Sequence, residues 1–167
     1  LAIGPFAQIV TMHGLPLKGA LPDSSLDLLN SGAFIIRAGR IEAIGRSDKI
    51  RELAKAQSIP WQEQKKPLVA IPGLIDAHTH ICYAGSRARD YAARSAGKTY
   101  LEIAKAGGGI WDTVVKTRAA TAAELATATV TRINRHLQAG VTTVEVKSGY
   151  ALNVAGELKM LRAIQKA

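Results

Sequence analysis

Residues 68–76, near the middle of the chain, are almost entirely apolar. A continuous apolar run of this length is typical of a parallel strand that is buried on both faces. Pro72 lacks the N–H that a strand ladder needs, so the strand proper is predicted to begin after it. A doubly buried strand requires other layers on both sides of its sheet, which favours an α/β fold.

The pattern after this strand alternates between helix and strand. Residues 99–106 favour a helix, and Thr121 and Glu124 form a capping box that opens a longer one. Residues 141–147 have the pattern of a second strand, and Asn153 is a predicted N-cap of a last helix that runs to the end. This order of elements predicts βαβ units and a parallel sheet.

The first part of the chain has a pattern that predicts β structure instead. Residues 33–37 and 40–45 are two short strand patterns separated by a glycine turn, which is typical of a β-hairpin. A polar linker follows and leads to the apolar strand. We therefore expect two domains, residues 1–67 and residues 68–167.

Composition excludes several classes of function. The formal net charge is +9, but the basic residues are spread along the chain and only 5% of residues are aromatic. Nucleic-acid binding is therefore not expected, because little surface is offered for base stacking. No apolar run approaches the roughly 18 residues of a membrane span. The single cysteine, Cys82, cannot form an internal disulfide, so a reducing cytoplasm is the expected location.

The strongest candidate for a chemical site is the pair His78 and His80 at the end of the apolar strand. Residues two apart in a strand project from the same face, so the two imidazoles should lie close enough to share one ion. Neutral imidazole is a good ligand for Zn²⁺ or Fe²⁺. Asp76 lies two residues before His78, on the same face of the strand, and is a candidate metal ligand or an acceptor for a ring N–H. The two histidines alone are weak evidence, but their position after an apolar strand makes the interpretation more specific.

Several motifs resemble a known group of enzymes. Residues 39–45 and 72–80 resemble the opening of the amidohydrolase superfamily, whose members carry a small β-sandwich beside a metal-bearing (β/α)8 barrel. Further motifs resemble the imidazolonepropionase family within it, and the most discriminating are the triple glycine and the Lys-Ser-Gly-Tyr sequence. In order, these further motifs are residues 84–87, 99–104, 107–110, 117–118 and 141–150.

The resemblance implies a fold and its domains. The chain is expected to be the N-terminal segment of a metal-dependent (β/α)8 TIM barrel with part of a small flanking β-sandwich. Residues 1–67 would belong to the sandwich, and residues 68–167 would supply the first strands and helices of the barrel. Such a barrel needs about 250 residues, so the barrel is expected to be incomplete in this chain.

The resemblance also implies roles for individual residues. His78 and His80 would bind one divalent metal, Zn or Fe, and Arg87, Tyr100 and Tyr150 would contact the substrate. A guanidinium can bind a carboxylate through two parallel N–H bonds, which suits Arg87 to an anionic substrate. No catalytic acid or base is expected in this segment, since the remaining metal ligands and the acid–base residues would follow residue 167.

The implied reaction is metal-dependent hydrolysis of the ring C–N bond of 4-imidazolone-5-propanoate to N-formimino-L-glutamate, in histidine degradation. The expected partners are a small anionic substrate, the C-terminal part of the barrel and, when complete, a second subunit in a homodimer, with no nucleic acid or membrane. The segment alone is expected to be inactive. The alternatives are another cyclic amidohydrolase or aminohydrolase of the superfamily, or a catalytically incomplete metal-binding fragment. Two positions depart from the family pattern: Asp112 replaces a small hydroxyl residue and Ala151 replaces a glycine.

Overall fold

The computed structural model describes residues 1–16 and 18–167, which form a mixed α/β structure. The chain divides into two compact units, Leu1–Pro72 and Gly73–Ala167. The division falls after Pro72 rather than after Pro67, because the short strand Val69–Ala70 pairs with the first strand of the N-terminal unit.

The N-terminal unit is a mixed sheet with one helix. Its elements are β1 (Ala2–Val10), β2 (Leu28–Arg37), β3 (Arg40–Arg46), α1 (Ser47–Ala56), β4 (Trp61–Glu63) and β5 (Val69–Ala70). Strand β1 lies between β2 on one side, antiparallel, and the short strands β4 and β5 on the other, both parallel. Strand β3 pairs antiparallel with the outer edge of β2. A single turn of 3-10 helix, Asp23–Ser25, precedes β2.

The predicted hairpin of β2 and β3 is confirmed. Arg37 and Arg40 are paired across the turn, and the two residues between them, Ala38 and Gly39, have φ of 49° and 74°. Two successive positive φ values are what a two-residue turn of the hairpin type requires. The core of this unit forms where α1 covers the sheet, with Ile35 of β2 and Ile50 of α1 both buried.

The C-terminal unit alternates strands and helices. Its two strands, β6 and β7, are parallel neighbours, which confirms the parallel pairing predicted from sequence. Four helices lie between these strands and a fifth follows β7. The elements are β6 (Leu74–Thr79), α2 (Ala88–Ser95), α3 (Tyr100–Lys105), α4 (Ile110–Ala119), α5 (Ala122–Gln138), β7 (Val141–Val146) and α6 (Val154–Lys166).

Strand β6 begins after Pro72, as predicted, but the expectation that it is buried on both faces is wrong for this chain. Ile75 is 71% exposed and Leu74 is 50% exposed. Among the residues that the structure describes, β7 is the one strand paired with β6, so the two-stranded sheet leaves apolar side chains open to solvent.

The core of the C-terminal unit lies between α5, α6 and the segment that follows β6. Leu125 of α5, Met160 of α6 and Cys82 are all fully buried in one cluster. The predicted capping box of α5 is confirmed, since Thr121 accepts from the backbone N–H of Glu124 and the Glu124 carboxylate accepts from that of Thr121. Within the described part of the chain, no helix has the length and apolar character needed to cross a bilayer.

Ala151 belongs to the same cluster and is fully buried. It fits because Gly156, at the start of α6, has no side chain. A Cβ at Gly156 would lie 2.5 Å from the Cβ of Ala151, well inside van der Waals contact. The departure from the family pattern at Ala151 is thus accommodated by the glycine at position 156, in the first turn of α6.

Burial makes the Cys82 thiol unreactive, which gives a first testable prediction. Desolvation raises the pKa of Cys82 above its ordinary value of 9.0, although Thr129 and Arg132 act in the opposite direction. We expect a soluble disulfide reagent to modify native Cys82 about 100-fold more slowly than the urea-unfolded chain, because the reaction requires local opening.

The sign of the accompanying pH effect follows from the direction of this shift. The folded state holds the thiol proton more tightly than the unfolded state, so this contribution is complete below about pH 9 and is lost as pH rises through the folded pKa. Urea unfolding at several pH values, compared with a Cys82→Ala control, measures it. Equal reaction rates in the native and unfolded chains would contradict the buried position.

Candidate functional site

The two histidines lie side by side at the carboxyl end of β6. Their ring centroids are 5.3 Å apart and the ring planes are inclined by 54°. His78 is within the strand and exposed, whereas His80 follows the strand and is partly buried. The alternation of strand side chains therefore brings both imidazoles to one side, as expected from sequence.

Thr79, between the two histidines, fixes the backbone that carries them. Its side chain is buried on the opposite side and its hydroxyl donates to the Glu145 carbonyl oxygen at 2.6 Å. The Thr79 carbonyl oxygen in turn accepts from the Lys147 N–H at 2.8 Å. These two bonds tie the end of β6 to the end of β7, so the backbone that carries the imidazoles is held in place.

Asp76, the third residue of the same parity, has different neighbours. One carboxylate oxygen accepts from the backbone N–H of His78 at 3.3 Å, and the other lies 3.9 Å from Nδ1 of His136 on α5. Across residues 1–16 and 18–167, no group of three or more histidine, cysteine, aspartate or glutamate side chains is arranged to hold a metal ion. The two imidazoles are thus a partial donor set, which suits a divalent ion only if further ligands are added.

Tyr150, a candidate substrate contact from the sequence, lies beside His80. Its ring meets His80 edge-on with centroids 5.7 Å apart, and on another side it meets Tyr83 at 5.9 Å. Tyr83 is not predicted from sequence. The guanidinium of Arg132 stacks over the Tyr83 ring at 3.6 Å and donates to the Ile81 and Tyr83 carbonyl oxygens. Arg132 therefore stabilises Tyr83, which in turn packs against Tyr150 beside the histidines.

Gly149 allows Tyr150 to approach His80. Its φ is +132°, and a Cβ there would lie 3.4 Å from Cε1 of His80. A side chain at this position would thus be strained by the positive φ, and its Cβ would be in van der Waals contact with the imidazole. The positive φ of this residue therefore explains why the Lys-Ser-Gly-Tyr motif has glycine at this position.

Charged groups on β7 lie beside the histidine pair. Lys147 donates to the Glu145 carboxylate at 2.7 Å. This hydrogen bond and the lysine charge hold the pKa of Glu145 below its usual range, and the charge of His78 adds to the effect. Glu145, which is not predicted from sequence, is therefore ionised near neutral pH and stabilises a positively charged neighbour.

Arg87 and Tyr100 lie together in a different place. Both line a cavity of about 200 Å³, with Asp90, Tyr91, Arg94 and Ile103 completing its wall. Tyr150 is not part of this wall and lies with the histidines instead. The structure thus brings the predicted residues into two groups, His78, His80 and Tyr150 in one and Arg87 and Tyr100 in the other.

Two solved structures have a fold similar to that of this chain. A variant of the atrazine chlorohydrolase of Arthrobacter aurescens, solved with zinc and atraton, matches 98% of the chain at a TM-score of 0.51 and 19% identity. The guanine deaminase of E. coli matches 99% at a TM-score of 0.50 and 18% identity. The chain covers 33% and 34% of those two proteins. The fold is that of part of an amidohydrolase.

Comparison of sequences finds relatives that are named imidazolonepropionase. The chain is 43% identical to the imidazolonepropionase of Symbiobacterium thermophilum over 159 residues, which is 95% of this chain and 37% of that enzyme. It is 47% identical to the imidazolonepropionase of Aromatoleum aromaticum over 146 residues, 84% of this chain and 34% of that enzyme. The resemblance to the N-terminal portion of imidazolonepropionase is therefore confirmed.

The matched relatives are much longer than this chain. The chain spans little more than a third of the length of these curated relatives. No family model matches the sequence.

Proposed function

We propose that this chain forms the N-terminal part of an imidazolonepropionase-like hydrolase, which opens the ring C–N bond of 4-imidazolone-5-propanoate to give N-formimino-L-glutamate. The observation that carries the proposal is the cluster of His78, His80 and Tyr150 at the carboxyl ends of β6 and β7. Active sites of (β/α)8 enzymes lie at this end of the strands. The similarity to imidazolonepropionases over 95% of the chain selects the reaction within the superfamily.

The proposal includes the architecture of the complete molecule. Residues 1–67, together with the short strand β5 that pairs with β1, would be part of a small β-sandwich, and the rest of residues 68–167, from Gly73 onward, would be the first strands and helices of a (β/α)8 barrel. The remaining strands would correspond to the other two thirds of the relatives. The exposed apolar side chains of β6 support this arrangement, because they offer the surface that further barrel elements would cover.

His78 and His80 would hold one divalent metal ion, Zn²⁺ or Fe²⁺. Imidazole nitrogen suits both ions, and a catalytic site of this type generally has three protein ligands and an open position. The other ligands and the acid–base groups would come from the rest of the barrel. When bound, the ion supplies Lewis-acid polarisation of the carbonyl that reacts.

The residues of this chain would bind and orient the substrate. Arg87 would bind the propionate carboxylate, and Tyr100 would line the same cavity. Tyr150 would place its ring and phenol beside the imidazolone ring, because its position against His80 is fixed by Gly149 and Tyr83. The complete enzyme would be a homodimer. It would be cytoplasmic, for which the free thiol of Cys82 gives support.

Complementation with a relative tests this function. The chain is co-expressed with the remaining two thirds of the Symbiobacterium thermophilum enzyme, and the purified assembly is supplied with Zn²⁺ or Fe²⁺. We expect consumption of 4-imidazolone-5-propanoate and formation of N-formimino-L-glutamate. The matched control is the same assembly carrying His78→Ala and His80→Ala, which should be inactive.

The same assembly distinguishes the alternatives. Turnover of hydantoin, dihydroorotate or guanine in place of imidazolonepropionate would indicate another hydrolase of the superfamily. Stoichiometric metal binding without turnover of any of these compounds would indicate a metal-binding fragment. Either result would overturn the proposed reaction.

A further inference from the structure

A partly buried carboxylate, that of Asp90, connects Arg87 to the triple glycine. Asp90 lies in the first turn of α2 and its side chain is only 14% exposed. Its Oδ2 atom accepts from Nε of Arg87 and also from the backbone N–H of Gly109, the latter at 2.8 Å. One oxygen atom therefore binds both the arginine and the glycine segment.

The glycine segment is shaped around this carboxylate. A Cβ at Gly108 would lie 2.4 Å from Oδ1 of Asp90 and 2.8 Å from Cγ2 of Ile103. Gly109, the N-cap of α4, has a φ of +78°, which disfavours any other residue. Glycine is thus required at both positions for the backbone to reach Asp90.

Asp90 also lies in the wall between two cavities. It lines the cavity of about 200 Å³ that contains Arg87 and Tyr100, and it lines a larger one of about 530 Å³ bounded by Gly107 and Gly108. In the smaller cavity, Arg87 and Arg94 carry two positive charges against the one negative charge of Asp90. The excess of one positive charge matches a ligand with a single carboxylate.

The ion pair with Asp90 fixes Arg87 through Nε and leaves its two Nη groups without a bond to Asp90. Asp90 binds Nε, so the two Nη groups of Arg87 can still donate to a carboxylate. The N–H of Gly109 has the largest effect in lowering the pKa of Asp90, burial opposes it, and Arg87 and Lys116 lower the pKa further. Asp90 is therefore ionised near neutral pH and holds the guanidinium in one orientation.

We propose that Asp90 is a positioning residue that orients Arg87 toward the substrate carboxylate and fixes the glycine segment 107–109 to α2. The part that concerns the substrate rests on the proposed function. Because both contacts use the same carboxylate, the arginine and the glycine segment are displaced together when Asp90 is changed.

The structural part is tested on the chain itself by ¹⁵N NMR. In the native chain, the Arg87 Nε–H and the Gly109 amide are expected as resolved signals that exchange slowly with water. Asp90→Asn should shift both signals and speed their exchange about tenfold, because a charge-assisted hydrogen bond is lost from each donor. Asp112→Asn is the matched control, since Asp112 borders the same larger cavity but pairs with Lys116. Unchanged Arg87 and Gly109 signals in Asp90→Asn would overturn the proposal.

The functional part is tested in the complemented assembly. Asp90→Asn should raise KM for imidazolonepropionate about tenfold with kcat changed less than about twofold, since ground-state and transition-state binding are weakened equally. Gly108→Ala, whose methyl would displace Asp90, should raise KM in the same way, whereas Asp112→Asn should not. A lower kcat at unchanged KM in Asp90→Asn would overturn the positioning role. If the unsubstituted assembly is inactive, the proposed function fails, and the NMR result alone decides the role of Asp90.

Discussion

Replacing His80 by alanine is expected to abolish both metal binding and hydrolysis. Two imidazoles at the end of β6 would supply half of a four-coordinate site, and loss of one leaves the ion with too few protein ligands. Without the ion, the reacting carbonyl is not polarised, so kcat/KM for imidazolonepropionate should fall by about three orders of magnitude or more. The measurements are metal content by plasma mass spectrometry and hydrolysis by the complemented assembly.

His136→Ala is the matched control for this prediction. His136 is also partly buried and lies 3.9 Å from Asp76, but it is on α5 and is not one of the paired imidazoles. Its loss should leave metal content unchanged and kcat/KM within about threefold, the range of a surface substitution. Full activity in His80→Ala, or equal losses in the two variants, would show that His80 is not a ligand.

Replacing Glu157 by alanine is expected to produce the largest loss of stability among substitutions of charged residues in the C-terminal unit. One carboxylate oxygen accepts from the backbone N–H groups of Ala151 and Leu152, both at 2.8 Å. The other oxygen is fully buried. Alanine would leave two donors without their acceptor, which costs about 2–4 kcal/mol of unfolding free energy.

The measurement is urea unfolding of the chain, combined with hydrogen exchange at the two amides. Trp111 in a Trp61→Phe background reports on the correct unit, because Trp111 stacks with Arg118, which donates to the Ala151 carbonyl oxygen. Glu145→Ala is the control, since the Glu145 carboxylate is exposed and pairs with Lys147. Equal destabilisation by the two substitutions would contradict the role given to Glu157.

The effect of Glu157 should also depend on pH. Burial raises the pKa of Glu157, but the neighbouring Ser148 hydroxyl and the backbone N–H groups of Leu152, Ala151 and Gly149 outweigh it and leave the pKa below 4.5. A lowered folded pKa means that this stabilisation is present above about pH 4.5 and is lost as pH falls through the folded value. The difference in unfolding free energy between the native chain and Glu157→Ala should therefore shrink in acid.

Local features of the fold could be predicted from sequence where the signal lies within a few residues. The hairpin at Gly39, the capping box at Thr121 and the N-cap at Asn153 all depend on short-range backbone requirements, and the structure confirms each of them. The proximity of His78 and His80 follows from the same kind of rule, because alternation along a strand is independent of what packs against it.

Features that depend on tertiary contacts could not be predicted. Helices α2 and α4 carry weak sequence patterns, and Asp90 stabilises the junction of both by binding Arg87 and the amide at the start of α4. Arg87 and Asp90 are three residues apart at the start of α2, and this spacing is the one sequence signal that indicates contact between their side chains. The burial of β6 could not be predicted either. Its apolar run predicts a strand but does not specify which neighbours cover it, and Ile75 is exposed in this chain.

The contact between Ala151 and Gly156 makes these two positions an epistatic pair. Glycine within a helix costs about 0.5–1 kcal/mol relative to alanine. If position 151 were glycine, the nearest neighbour of a methyl at 156 would be Oδ1 of Asn153 at 3.1 Å, so Gly156→Ala would need only a small adjustment. With Ala151 present, the same substitution forces two methyl groups to within 2.5 Å and should be destabilising. The cost of one mutation thus depends on the residue at the other position. Once a lineage has alanine at position 151, position 156 can accept a side chain only after position 151 has returned to glycine.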